Sequence, residues 1–99
     1  MPDKDYEITL APGNRIVVSI KMVGGRAVSF VVRLTVRTNG KESDVARYDT
    51  AHGWPHLDLL GPTGRVKEKR WLDVDDFETA LTHAIEDFKV NYEKYLGKD

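Results

Sequence analysis

The chain has 99 residues, no cysteine, 40% hydrophobic and 31% charged side chains, and a net charge of −1. That length fits one domain, the lack of cysteine excludes a disulfide framework and a thiolate metal site, and the apolar-to-charged balance is that of a globular domain rather than a disordered tail. No apolar run approaches the roughly 20 residues that span a bilayer, and no basic segment leads into an apolar one at the N-terminus, so neither a membrane partner nor a signal peptide is expected and the cytoplasm is the default location.

The small net charge hides a split. Residues 1–72 carry 12 Lys/Arg against 8 Asp/Glu, or +4, and residues 73–99 carry 3 against 8, or −5. A mildly basic body joined to an acidic C-terminal segment does not by itself demand nucleic acid or membrane as a partner.

In chain order, residues 1–14 are an N-terminal extension or an extra strand over Tyr6 to Leu10, ended by Ala11-Pro12-Gly13-Asn14. From Arg15 to Val23, Ile16, Val18, Ile20 and Met22 fall on alternate positions, the period of a half-buried strand. From Ala27 to Arg37, Val28, Phe30, Val32, Leu34 and Val36 repeat the pattern. Gly24-Gly25 joins the two as a hairpin. A strict two-residue loop would set Ile20 opposite Ser29, core against solvent, so a three-residue loop pairing Ile20 with Val28 is preferred. Asn39-Gly40 marks the next hairpin. A two-residue turn would put Arg47 and Asp49 on the core side. A three-residue loop pairs Phe30 with Tyr48 and leaves the charges on the open face, which is preferred because buried charges need partners; a bulge in Glu42-Ser43-Asp44 would change the count.

A loop over residues 51–55 leads to a short strand, His56 to Leu60, with Leu57 and Leu59 inward. The Pro62-Thr63-Gly64 turn leads to a charged strand, Arg65 to Leu72, placed near an edge. The C-terminal helix has Asp73 as its expected N-cap, Asp76 at the third helical position, and Leu72 stapling Phe77. Phe77, Leu81, Ala84, Ile85, Phe88, Tyr92 and Tyr95 make one stripe, and Gly97 is the stop. The fold class is α+β: an antiparallel meander of four or five strands over residues 15–72, with one long C-terminal helix, 73–97, packed on one face.

Residues 47–58 hold two of the three histidines, two aspartates, an arginine and a tryptophan, in a Gly/Pro-containing loop between strands. His52 and His56 are four apart, about 13 Å on an extended chain, too far for two bonds of about 2.1 Å to one ion; no metal and no cofactor are expected. A histidine pair can instead divide general-base and general-acid roles in metal-free phosphodiester cleavage. Asp49 and Asp58 would orient the imidazoles and Arg47 would contact phosphate, with Arg33 and Arg37 beside it on the open face and Trp54 placed to stack a base. The competing expectation is a solvated sheet face. His83 lies off the helix stripe and is expected to be exposed, Trp71 to be packed, and Arg65, Lys67, Lys69 and Arg70 to be a solubilised edge strand or a phosphate-backbone contact.

These residues carry a resemblance. Arg47-Tyr48-Asp49-Thr50-Ala51-His52-Gly53, Pro55-His56, Gly64 and Lys67 to Trp71 resemble the shared stretch of a bacterial group of short uncharacterised proteins, over roughly residues 45–96. More remotely, Arg47-Tyr48-Asp49, Ala51 and Pro55-His56 resemble the TumE-like toxins of toxin–antitoxin pairs. This chain departs from them with Thr50 where asparagine is usual, and with Leu57-Asp58 in place of further histidines. The resemblance implies a cytoplasmic toxin acting on RNA, partnered by a helix-turn-helix antitoxin protein. The other class is a non-enzymatic module that binds a protein or a second copy of itself as a homodimer. In that module Asp49, Gly53, Pro55 and the histidines only shape the loop.

Overall fold

In a computed structural model that describes residues 3–50, 53–74 and 76–97, the chain folds into one antiparallel sheet and one helix. The strands are β1 (Lys4–Ala11), β2 (Asn14–Val23), β3 (Arg26–Thr38), β4 (Lys41–Asp49), β5 (His56–Leu60) and β6 (Val66–Trp71), and the helix is α1 (Phe77–Tyr95). The strands lie in sequence order, each beside the next, so the meander has six strands and not four or five. The sixth is the N-terminal segment, which pairs with β2 from Lys4↔Ile20 to Ala11↔Asn14.

Both hairpins differ in register from the sequence expectation, and for one reason. Val23 pairs with Arg26 across Gly24-Gly25, and Thr38 pairs with Lys41 across Asn39-Gly40. Both are two-residue turns. Asn39 and Gly40 have φ of 54° and 76°, the left-handed pair that a twisted hairpin requires. A bulge in each ladder then restores the faces. Lys21 pairs with Ser29 but Met22 with Ala27, leaving Val28 as an extra, exposed residue rather than a core one, so Ile20 meets Phe30. Leu34 pairs with Ala46 but Thr35 with Asp44, leaving Val45 as the extra residue, one position beyond the stretch where a bulge would change the count. Tyr48 therefore meets Val32 rather than Phe30, while Arg47 and Asp49 stay off the core face as expected.

The core is built from Ile16, Val18, Ile20, Phe30, Val32, Leu34, Ala46, Tyr48 and Leu57 on the sheet, against Ala80, Ala84 and Phe88 of the helix. Phe77, Leu81, Ile85, Tyr92 and Tyr95 pack around it, so the predicted stripe is the buried face. The helix cap is Asp76, not Asp73. The Asp76 carboxylate accepts from the Thr79 amide at 2.7 Å and from the Thr79 hydroxyl at 2.8 Å. These bonds hold its carboxyl below the usual carboxylate range. Leu72 still packs on the core, but it lies four residues before the cap and so is not a staple. Gly97 ends the helix at φ 80°, its amide donating to the Lys94 carbonyl at 3.1 Å. Among the described residues, no helix is long and apolar enough to cross a membrane.

Candidate functional site

Strand β4 sends alternate side chains to opposite faces of the sheet, and from residue 47 to 49 each of them enters a polar cluster. Arg47 and Asp49 point away from the helix, and Tyr48 points toward it.

On the face away from the helix, register does the assembling. Arg47 pairs with Asp58, and Asp49 with His56, across β4 and β5, while β6 sets Trp71 beside His56 and Lys69 beside Asp58. Arg47 Nη2 donates to Asp58 Oδ2 at 3.0 Å, and its Nε lies 3.0 Å from Asp49 Oδ2. His56 Nε2 lies 3.0 Å from Asp49 Oδ1 and 3.5 Å from Asp58 Oδ2. Lys69 Nζ is 3.8 Å from Asp58 Oδ1 and sits over the Trp71 ring at 5.6 Å. The Trp71 ring lies against the imidazole, with centroids 5.1 Å apart.

This is not a solvated face. His56 is 1% exposed, Asp58 2% and Asp49 6%. Trp71, expected to pack, does cover His56, yet remains 56% exposed on its outer side. Burial lowers the tendency of Arg47 to hold its proton, but the Asp58 hydrogen bond and the nearby Asp49, Asp58 and Asp44 charges outweigh it and leave its pKa raised.

The loop before β5 is tied down at both ends. The Thr50 amide donates to the Phe30 carbonyl at 3.3 Å, and the Thr50 hydroxyl accepts from the Phe30 amide at 3.1 Å. The Gly53 amide donates to the Thr50 carbonyl at 3.0 Å. Trp54 Nε1 donates to the Leu72 carbonyl at 2.7 Å, and the Leu72 amide donates to the Pro55 carbonyl at 3.1 Å. Trp54 thus clamps the loop to the end of β6, with its ring partly exposed. His56 Nδ1 lies 3.0 Å from the Trp54 carbonyl, an oxygen that only accepts, so this nitrogen is the donor of the pair.

Of the residues singled out from sequence, Arg47, Asp49, His56 and Asp58 are brought together. Arg33 is their neighbour, opposite Arg47 in the ladder and 3.6 Å from Asp44. Arg37 is not: it lies at the hairpin end of β3, exposed, beside Glu42 at 3.5 Å. His52 lies outside the described residues. Arg15, on the same face, pairs with Glu7 at 2.7 Å and with Glu42. Each of these four arginines, Arg15, Arg33, Arg37 and Arg47, faces a carboxylate, so their positive charge is answered within the sheet. An open groove of about 670 Å³ runs beside the cluster, lined in part by Ser19, Ser29, Val31, Arg33, Arg47 and Asp49.

On the helix face, sequence reasoning missed a second cluster. The Tyr48 hydroxyl donates to Asp87 Oδ2 at 2.7 Å, the Tyr95 hydroxyl donates to the same oxygen, and Asn91 Nδ2 donates to Asp87 Oδ1 at 2.8 Å. Burial pushes the Asp87 carboxyl up, but the three donors outweigh it and hold it below the ordinary carboxylate range. Burial and the Asp87 charge push both phenols well above their ordinary range. His83 is exposed as expected and meets the Tyr48 ring edge-on at 5.9 Å. Spacing 87, 91 and 95 on one helix turn-line was the only sequence signal; the partner on β4 is 39 residues away. Beside this cluster, between the C-terminal half of α1 and β5–β6, lies a groove of about 420 Å³ lined by Lys67, Arg70, Asp87, Asn91, Lys94 and Tyr95.

As donors for an ion, Asp49, His56 and Asp58 offer one ligand atom each, all within 4.8 Å of one another. No curated protein and no solved structure matches this chain. The domain of unknown function DUF7718 matches residues 1–98, and the chain, with its six-stranded meander, C-terminal helix and partly buried Arg47–Asp49–His56–Asp58 cluster, belongs to that family.

Proposed function

We propose that the protein acts by binding a partner, and that residues 47–58 serve as a structural clasp rather than as an acid–base centre. One observation carries this reading. His56 is 1% exposed, Nδ1 is committed to the Trp54 carbonyl, and Nε2 faces the Asp49 and Asp58 carboxylates. A general acid or base has to come within hydrogen-bond reach of a substrate proton, and an imidazole enclosed by Trp71 and two aspartates has no such path. The arginines point the same way, since a phosphate would have to displace carboxylates already beside Arg33 and Arg47.

The reading is tested with the purified full-length chain and a single-stranded RNA. The expected result is intact RNA after incubation, together with a His56→Ala variant that is markedly less stable. RNA cleavage by the wild-type chain that disappears in a folded His56→Ala or Asp49→Asn variant would overturn it.

The RNA-directed toxin is the second reading, and one observation favours it: the 670 Å³ groove runs past Arg33, Arg47 and Asp49. Under that reading expression of the chain alone arrests growth, and co-expression of a helix-turn-helix partner relieves the arrest.

A further inference from the structure

The two edges of the sheet are alike in exposure and opposite in charge. Among the described residues no strand lies outside β1 or β6, so each leaves one side of its backbone without a ladder partner. Helix α1 lies chiefly over β3, with β2 and β4 on either side, and away from both edges. Tyr6 on β1, and Val66 and Trp71 on β6, are large apolar side chains left exposed there. Residues 3–11 carry three acidic side chains and one basic, a net of −2, and residues 65–71 carry four basic and one acidic, a net of +3. The charges differ from those of the open face. Arg15, Arg33, Arg37 and Arg47 each meet a carboxylate, whereas Asp3, Asp5, Arg65 and Lys67 form no ion pair among the described residues.

We propose that the chain associates with further copies of itself head to tail, β1 of one copy pairing antiparallel with β6 of the next. Strand parity permits it. Six strands in a meander leave β1 and β6 antiparallel to each other, so a neighbour with its helix on the same side of the sheet brings β1 to β6 in the direction that every other ladder uses. Charge then chooses which edges meet. Side chains directly opposite in an antiparallel pair stand about 5 Å apart at Cβ, where unlike charges attract and like charges repel. Pairing β6 with β6 sets +3 against +3, and pairing β1 with β1 sets −2 against −2; the unlike edges alone are complementary. Charged residues on an edge, lysine above all, ordinarily keep sheets apart. Here they do so between like edges and act in reverse between unlike ones. Pairing also takes apolar surface of Tyr6 and Val66 out of water. The contact is heterologous, so each assembly keeps one free edge of each kind and grows past two copies until a ring closes. This inference rests on the binding reading and deepens it by naming the partner as a second copy.

The experiment measures the mass of the full chain by sedimentation from micromolar to millimolar concentration at low salt. Wild type should rise with concentration past the mass of a dimer. The Asp3→Lys/Asp5→Lys double variant makes both edges basic, and Arg65→Glu/Lys67→Glu makes both acidic, so each alone should stay monomeric. Mixed in equal amounts, the two variants again offer unlike edges to each other, and the mass should return to that of wild type. A wild-type chain that is monomeric throughout overturns the proposal, as does a mass that stops at two copies, association that neither double variant weakens, or a mixture that stays monomeric. If either double variant fails to fold, hydrogen exchange of the wild-type chain decides: the amides of β1 and β6 should exchange more slowly at high concentration than at low, and equal rates overturn the proposal. A monomer leaves the RNA assay to judge the binding reading, and RNA cleavage overturns that reading without altering the mass.

Discussion

The two sides of β4 solve the same problem in different ways. On one side Arg47 and Asp49 join His56 and Asp58 from the next strand, and every member is delivered by ladder register across a short loop. On the other side Tyr48 reaches Asp87, which belongs to α1 and depends on how the helix lies across the sheet. The first cluster puts charged groups in a buried place and must satisfy them with one another. The second puts one carboxylate at the rim of an apolar core and satisfies it with neutral donors. Removing a member should therefore cost more on the first side than on the second, because an orphaned buried charge loses more than an orphaned hydroxyl.

The largest effect is expected for Asp58→Ala. It leaves Arg47 with one carboxylate fewer and takes a partner from Lys69, and breaking a buried ion pair from one side typically costs about 3–5 kcal/mol. Domains of this kind have about 5–15 kcal/mol in all, so denaturant unfolding should show a midpoint displaced far below wild type. A loss under about 1 kcal/mol would mean that the cluster behaves as a surface ion pair and that its burial has no energetic consequence.

Asp87→Ala should cost less, about 1–3 kcal/mol, since it strands the Tyr48 and Tyr95 hydroxyls without stranding a charge. Tyr48→Phe should cost about 1 kcal/mol and keep its ring against Phe88. If Asp87→Ala matched Asp58→Ala in the same urea series, the distinction between the two sides would fail.

The helix-side cluster also sets a pH dependence. The Asp87 carboxyl is held below its unfolded value, so its contribution is present above the unfolded carboxylate range and is lost as pH falls through the lower folded value. The phenols of Tyr48 and Tyr95 are held above theirs, so their contribution is present below the ordinary tyrosine range and is lost as pH rises beyond it, where only the unfolded chain ionises. Thermal midpoints should thus fall at both extremes. Tyr48→Phe should flatten the alkaline limb, and Asp87→Asn the acid limb. An alkaline limb of unchanged slope in Tyr48→Phe would show that this phenol is not the group responsible.

The difference between the sides also explains what sequence could reveal. Alternation in β2 and β3 was legible because their core face is uniformly apolar: Ile16, Val18 and Ile20 against Phe30, Val32 and Leu34. The helix stripe was legible for the same reason, Phe77 to Tyr95 at helical spacing. Arg47, Asp49, His56 and Asp58 could be placed on one face because a short loop joins their strands. The registers were not legible. A bulge shifts the period by one without leaving a mark in composition, and Val28 and Val45 look like any other strand valine. Asp73 and Asp76 are chemically equal candidates for a cap, and the structure uses the one whose carboxylate reaches the amide and hydroxyl of Thr79. Burial of His56 was not legible either, because it depends on Trp71 arriving from β6, 15 residues on. Tyr48 with Asp87 lay furthest out of reach, since no local spacing relates a strand residue to a helix residue 39 positions away.

The smallest effect sharpens the boundary of the buried cluster. Arg37 shares its face with Arg47 and was grouped with it on the sequence pattern, yet it stands at the hairpin end of β3, exposed, 3.5 Å from Glu42. An exposed pair of that kind gains little Coulomb energy in water and gives some of it back in side-chain entropy, for a net of about 0–1 kcal/mol. Glu42 also keeps Arg15 when Arg37 is removed. Arg37→Ala should therefore change stability by less than about 0.5 kcal/mol, and should leave the His56 and Trp71 resonances where they are. The matched variant Arg33→Ala, four residues nearer and directly opposite Arg47 in the ladder, should shift those resonances by relaxing the like-charge pair. If Arg37→Ala perturbs His56 as much as Arg33→Ala does, the charges of the open face act as one continuous network, and the cluster cannot be separated from the rest of the sheet.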